Sequence, residues 1–292
     1  MKYKVTHTTE YQYGELTAVC HNLVHLTPRR SARQRCQDFR LEISPEPAHV
    51  TSRQDYFGNQ SSYFSIQQSH QGLSVTASSR VTIAPVEPIE ESKSPGWEAT
   101  RDELPSVRTP EWLDACQYVF DSPCVKGSAE LAAYAAESFP AGRPVLEAVA
   151  DLNRRIHADF HYDPQATSVT TPIHEVFQHR HGVCQDFAHV AIGCLRSLGL
   201  AARYVSGYLR TIPPPGKPRL VGADASHAWF AVYAGTFGWI DFDPTNNLLV
   251  DTDHITLAWG RDYSDVAPVR GVFVGAGHHT MAVSVDVEPQ DE

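Results

Sequence analysis

An α+β fold in two parts, a β-sandwich followed by helices packed on an antiparallel sheet, is what this sequence predicts. Three observations carry the prediction. The apolar period is 2 through residues 1 to about 84, turns helical from Thr109, and returns to 2 after Leu200. Strand runs, helix runs and strand runs that segregate along a chain give layered α+β domains rather than alternating βαβ units. At 292 residues the chain also exceeds most single compact domains, so two domains are expected.

In the first part, "KYKVTHTTEY", "DFRLEISPEP", "SSYFSIQQ" and "LSVTASSRVTIAP" alternate and are rich in β-branched and aromatic residues. "DYFGNQSS" supplies a Gly-Asn turn between two of them. Residues 1–84 are therefore a sandwich domain. The Pro-, Ser- and acid-rich stretch over 85–109 lacks apolar periodicity and reads as a linker or a chain draped over the surface. Residues 110–292 form the second domain, with its C-terminal strands.

Its first helix, "TPEWLDACQYVF", has Thr109 as N-cap and Pro110 at the first helical position. "SAELAAYAAESF" stops at Pro140, and Val145, Val149, Leu152 and Ile156 form the apolar stripe of a third helix. "TPIHEVFQHRHG" repeats the Thr-Pro start and ends at Gly182, the expected C-cap. In "VCQDFAHVAIGCLRSLGL" a stripe of Val183, Phe187, Val190, Ala191, Cys194, Leu195 and Leu198 runs to Gly199. "ARYVSGYLR", "SHAWFAVYAG", "GWIDFDP" and "MAVSVDV" then read as strands.

A net charge of −10 argues against nucleic acid or an anionic membrane as a partner, and the basic run "LTPRRSARQRCQDFR" reads as a solvated edge. No stretch approaches the roughly 18 apolar residues that span a bilayer. "MKYKVTHTTEYQYGEL" has no apolar signal region, so the cytoplasm is the expected location. Cysteines at 20, 36, 116, 124, 184 and 194 are scattered, which suits reduced thiols better than a disulfide framework.

The tetrapeptide "CQDF" occurs twice, at Cys36 and at Cys184. The first copy lies in a strand with no helix start nearby, and Cys36 is expected to be structural. The second opens a helix after Gly182, where unpaired N–H groups and the positive end of the helix dipole favour an anionic nucleophile and can receive an oxyanion. Partners for Cys184 lie in "ASHAWFAVYAGTFGWIDFDPTN", two alternating segments joined at Gly235. A turn closing symmetrically about that glycine would set His227 opposite Asp243, within side-chain reach. A one-residue slip would separate them to opposite faces. A carboxylate beside an imidazole fixes its tautomer and stabilises the imidazolium. A helix-borne Cys with a strand-borne His and Asp therefore makes a thiol triad.

These residues carry a resemblance. "GVCQDFAHVAIGCLRSLGLAARYVSGYL", "DASHAWFAVY" and "GWIDFDPTNN" resemble the three signature blocks of the bacterial transglutaminase-like superfamily, in papain-like Cys-His-Asp order. "FHYDPQATSVTTPIHEVFQHRHGVC" is similar to that family's lead-in, "GRDYSDVAPVRGV" to its tail, and the first 85 residues to the domain that precedes the core in bacterial members. The resemblance implies a papain-like transglutaminase core behind an N-terminal β-sandwich. It implies Cys184 as nucleophile, His227 as general base and acid, and Asp243 as the orienting carboxylate, with Asp241 on the same strand face ranked second. For the oxyanion it offers Gln178, six positions before the Cys as in papain-like enzymes, or Tyr162 in place of an upstream aromatic donor; the Cys184 backbone N–H is preferred to both. The implied activity is hydrolysis or acyl transfer on peptide or glutamine-like amides, without a cofactor and with a peptide or protein as partner.

Two other readings compete. His174, His179, His181 and Cys184 could bind a metal, but His174 and His179 are five apart, not the three or four that share a helix face. A non-catalytic scaffold of the same fold would be marked by loss of the nucleophile, and all three triad positions are filled. "VDTDHITLAWGRD" lacks the spacing of a calcium loop.

Overall fold

The computed structural model describes residues 1–106, 109–211, 225–275 and 278–290. Six strands come first: β1 (Lys2–Thr17), β2 (Val19–Val24), β3 (Gln34–Ser44), β4 (His49–Gln54), β5 (Gln60–Ile66) and β6 (His70–Ile83). Then follow α1 (Trp97–Glu103), α2 (Pro110–Cys116), α3 (Ala129–Ala136), α4 (Val145–Asp159), β7 (His161–Tyr162), α5 (Ile173–His179), β8 (His181–Gly182) and α6 (Cys184–Ser197). The chain continues through β9 (Ala202–Leu209), β10 (Ala225–Tyr233), β11 (Trp239–Asp243), β12 (Leu248–Leu249), β13 (His254–Gly260), α7 (Tyr263–Val266), β14 (Val269–Val274) and β15 (His279–Gln290).

Two four-stranded sheets, ordered β15-β1-β6-β3 and β14-β2-β5-β4, build the sandwich. Tyr13, Leu73 and Val75 of the first meet Cys20, Phe64 and Ile66 of the second in its core. The other end of β1 turns to a different partner. Tyr3 and Val5 pack with Val285 and Val287 on Tyr208, Ile255 and Leu257 of the five-stranded sheet β12-β11-β10-β9-β13. The opposite face of that sheet, through Ala228, Phe230 and Val232, receives Phe187, Val190, Ala191 and Leu195 of α6. The sheet that carries His227 is thus clamped between a helical layer and the sandwich.

Four local expectations meet a different outcome. The last strands do not extend the second domain's sheet: β15 pairs along β1 and β14 along β2, so the end of the chain completes the sheets that its beginning opens. The 85–109 stretch contains α1, anchored where the Leu146 N–H donates to Ser94 Oγ at 3.1 Å and Trp97 stands edge-on to Phe139. Helix α5 ends at His179, and its C-cap is Arg180 at φ 58, not Gly182. That left-handed residue is held by its guanidinium, which lies over the rings of Tyr134, Phe160 and Phe177 at 4.7, 4.6 and 4.1 Å. Finally, α6 is buried on every side from Gln185 to Arg196, not along one stripe. Its polar residues survive there because each is bonded, as Arg196 is to the carbonyls of Tyr118, Ala202 and Arg261.

Candidate active site

Helix α6 begins at Cys184, and Asp186 fixes its entry. The Asp186 carboxylate accepts the Val183 N–H at 2.9 Å and the Thr167 hydroxyl at 2.6 Å, so the third residue of the helix reaches back over its own start. Burial pushes this carboxyl up, and the two donors pull it part of the way back. Gly182 is required here: a Cβ would lie 2.6 Å from Asp186 Oδ2 and 2.8 Å from its Cβ. Cys184 itself stays partly exposed at the helix N-terminus.

The hairpin that carries His227 closes differently from the symmetrical turn. Its ladder pairs Phe230 with Phe242 and Ala231 with Asp241, two residues beyond the expected register. A 3₁₀ turn at Gly235–Phe237, followed by Gly238 at φ 69, supplies the extra length. A shift of two preserves the face because side chains alternate with period 2. His227 and Asp243 therefore still meet, diagonally, with Nε2 2.7 Å from Oδ2. His227 lines the same cleft as Cys184, and the thiol there acts on the charge of the ring. Burial alone would lower the His227 pKa, but the bond to Asp243 and the influence of Cys184 outweigh it and push it up to about 10.

Asp243 is fully buried and densely solvated by the protein. Oδ2 accepts from His227, from Asn246 Nδ2 at 2.8 Å and from His254 Nε2 at 3.1 Å. Oδ1 accepts the N–H groups of Thr245 and Asn246 at 2.9 and 3.2 Å. Burial would raise this carboxyl, and these donors instead hold it well below the usual carboxylate range. Asp241 has a different partner, the Trp229 indole N–H at 3.4 Å. Of the two carboxylates, Asp243 is the one on His227.

His254 is the residue that the sequence reading missed. It enters from β13, paired with Leu209 of β9, and only long-range pairing brings it to Asp243. Its Nδ1 has no hydrogen-bond partner. The ligand atoms of His227, Asp243 and His254 lie within 4.8 Å of one another, and among the described residues this is the group with metal-ligand proximity. His174, His179 and His181 are exposed and form no such group with Cys184.

The oxyanion candidates separate as well. Tyr162 lies in β7, paired in parallel beside Gly182, and its phenol is raised by burial and by the nearby Cys184. Gln178 is exposed on α5, and neither it nor the half-exposed Tyr162 lines the cleft that opens on Cys184. That cleft, of about 220 Å³, runs between the start of α6, β10 and the sandwich strands β1 and β15.

Comparison with known proteins fits this architecture. Residues 3–82 match the bacterial transglutaminase-like N-terminal region, and residues 132–244 match the transglutaminase-like superfamily core. An uncharacterized protein of Mycobacterium tuberculosis is 43% identical over 99% of this chain and 93% of its own. A protein-glutamine gamma-glutamyltransferase of Pseudomonas aeruginosa is 30% identical over 36% of this chain and 18% of its own. A candidate cysteine protease from Cytophaga hutchinsonii shares the fold with a TM-score of 0.75, at 22% identity, over 100% of this chain and 92% of its own. The chain belongs to the transglutaminase-like superfamily, a family of thiol-dependent enzymes, and carries the bacterial N-terminal region of that family.

Proposed function

We propose that this protein hydrolyses amide bonds of peptides or of glutamine-like side chains through a thioester on Cys184. The observation that carries the reading is the His227 imidazole, bonded to Asp243 at 2.7 Å and lining the same cleft as the Cys184 thiol. A ring with a pKa of about 10 holds a proton at neutral pH, and an imidazolium beside a thiol is the arrangement that activates sulfur as a nucleophile. Sγ attacks the amide carbonyl, and the oxyanion is received by the Cys184 N–H at the helix terminus. The C–N bond breaks, and His227 gives its proton to the departing amine. Water then attacks the thioester, His227 takes the proton from that water, and Cys184 leaves again as thiolate. Asp243 holds the imidazolium and its tautomer throughout.

Transfer to an amine uses the same residues with an amine in place of water, and the likeness to a protein-glutamine gamma-glutamyltransferase favours this as the second reading. Mass spectrometry of a peptide pool, with and without an added primary amine, separates cleaved products, deamidated glutamine and amine adducts. Cleavage or deamidation that needs no amine supports hydrolysis. Adducts alone would favour transfer, and products that persist in Cys184→Ala would overturn the mechanism. A cytoplasmic location is part of the same proposal and is supported by six free thiols, which a reducing compartment preserves. No helix among the described residues is long and apolar enough to cross a membrane. Recovery in a membrane or secreted fraction would contradict the assignment.

A further inference from the structure

We propose that the cleft over Cys184 selects an apolar side chain next to the reacting carbonyl, and that the sandwich is the specificity wall; this rests on the thiol-enzyme reading above. The cleft opens directly on Cys184 and His227, and among its described lining residues there is no Asp, Glu, Lys or Arg. One part of the lining belongs to the core, with Tyr204 and Tyr263, and another to the two ends of the chain, with Tyr11 of β1 and Met281 and Val283 of β15. Met281 and Val283 are 58% and 47% exposed, so apolar surface stands open beside the nucleophile.

The one further titratable base on that wall brings no charge. His7 is buried, with Nε2 2.8 Å from Thr9 Oγ1 and Nδ1 2.9 Å from Tyr208 Oη, and burial lowers its pKa to about 4. A charged substrate side chain would therefore lose its hydration against that wall without gaining a counter-charge, since the positive charge of His227 is already paired with Asp243. An apolar or aromatic one would cover Met281 and Val283 and be favoured by the area it removes from water. At about 220 Å³ the space is below the roughly 300–1,000 Å³ of sites that hold a whole drug-sized molecule. It suits one side chain with its flanking amides. The sandwich, on this account, is a part of the substrate site, since β15 reaches the cleft only by pairing with β1.

The test needs no known substrate. Cys184 of the full chain is alkylated at neutral pH by iodoacetamide, N-benzyl-iodoacetamide or N-carboxymethyl-iodoacetamide, Sγ displacing iodide in each case. Peptide mass spectrometry then gives the rate at each cysteine, normalised to the same reagent on the unfolded chain. The benzyl reagent should exceed the carboxymethyl reagent at Cys184 by about tenfold or more, the scale of discrimination an apolar pocket supplies. Met281→Lys, on an exposed edge-strand position, should shrink or invert that ratio. A normalised ratio below about threefold in the wild-type chain would overturn the apolar selection. A ratio unmoved by Met281→Lys would overturn the role of the sandwich. If iodoacetamide itself did not prefer Cys184 over the other thiols, the underlying thiol-enzyme reading would fall instead, and the inference with it.

Discussion

Cys-Gln-Asp-Phe is folded twice by this chain, as a bulged stretch of β3 at 36–39 and as the first turn of α6 at 184–187. In β3 the register slips between Gln37 and Arg40, Asp38 adopts φ 52, and its carboxylate meets exposed Arg80 at 3.3 Å. Cys36 is 6% exposed, and burial pushes its thiol pKa up. In α6 the roles of the same letters are exchanged. Cys184 is the accessible residue, while Asp186 is buried and turned back on Val183. Phe39 packs at the margin of the sandwich, and Phe187 lies in the core beneath the five-stranded sheet. On the proposed mechanism, the two thiols differ by what surrounds them: Cys184 has a glycine that admits the helix start, an aspartate that fixes it, and a His–Asp pair from another layer.

The comparison can be broken first at the thiols. Cys184→Ala should remove amide turnover by about 10⁴-fold or more, whereas Cys36→Ala should leave it within about twofold, as expected away from the reacting atoms. Product mass spectrometry on one amide substrate reads both. Next comes Asp243→Asn, which should lower turnover about 10²–10⁴-fold. It should also move the alkaline limb of the pH profile down from about 10, because burial alone lowers the His227 pKa once the bond to Asp243 is weakened.

The same pKa bears on stability with a definite sign. His227 is raised above its unfolded value of about 6.5, so its contribution is full below that pH and is lost as pH rises through about 10. The stability gap between the wild type and Asp243→Asn, from denaturant titration, should therefore narrow between pH 7 and 10. His7 and His189 work in the opposite direction, since burial lowers each to about 4. Stability should fall as pH drops from about 6.5 towards 4, by a few kcal/mol at most.

The smallest effects sharpen the two aspartates. Asp186→Ala should cost about 1–3 kcal/mol, the range for a cap and a buried polar partner lost together, while Asp38→Asn, which suits φ 52 and loses only an exposed ion pair, should stay within about 0.5 kcal/mol. Denaturant midpoints at one pH decide between these values. Equal losses at both positions would contradict the assignment of Asp186 as the device that positions the helix start.

Local patterns made much of this legible in advance. Period-2 runs locate the sandwich strands, and Gly182 before Cys184 locates the start of α6. The His227–Asp243 contact survived a register error because the error was two residues and kept parity. What the sequence hid depends on distant pairing. His254 reaches Asp243 only through the alignment of β13 with β9, and β15 reaches the cleft only through β1. Arg180 as a left-handed cap is also invisible locally, since three aromatic rings hold it, from α3, from the residue that caps α4 and from α5. Gln178 shows the limit of counting: the offset of six residues is present, but it places the side chain on an exposed helix face.

The central claim is that its setting arms Cys184 and leaves Cys36 inert, and the rates of iodoacetamide modification of the native chain at neutral pH, resolved by cysteine, test it most directly. The account predicts rapid and selective modification of Cys184, much slower reaction at Cys36, and loss of that selectivity in Asp243→Asn. Comparable rates at all six cysteines would contradict it.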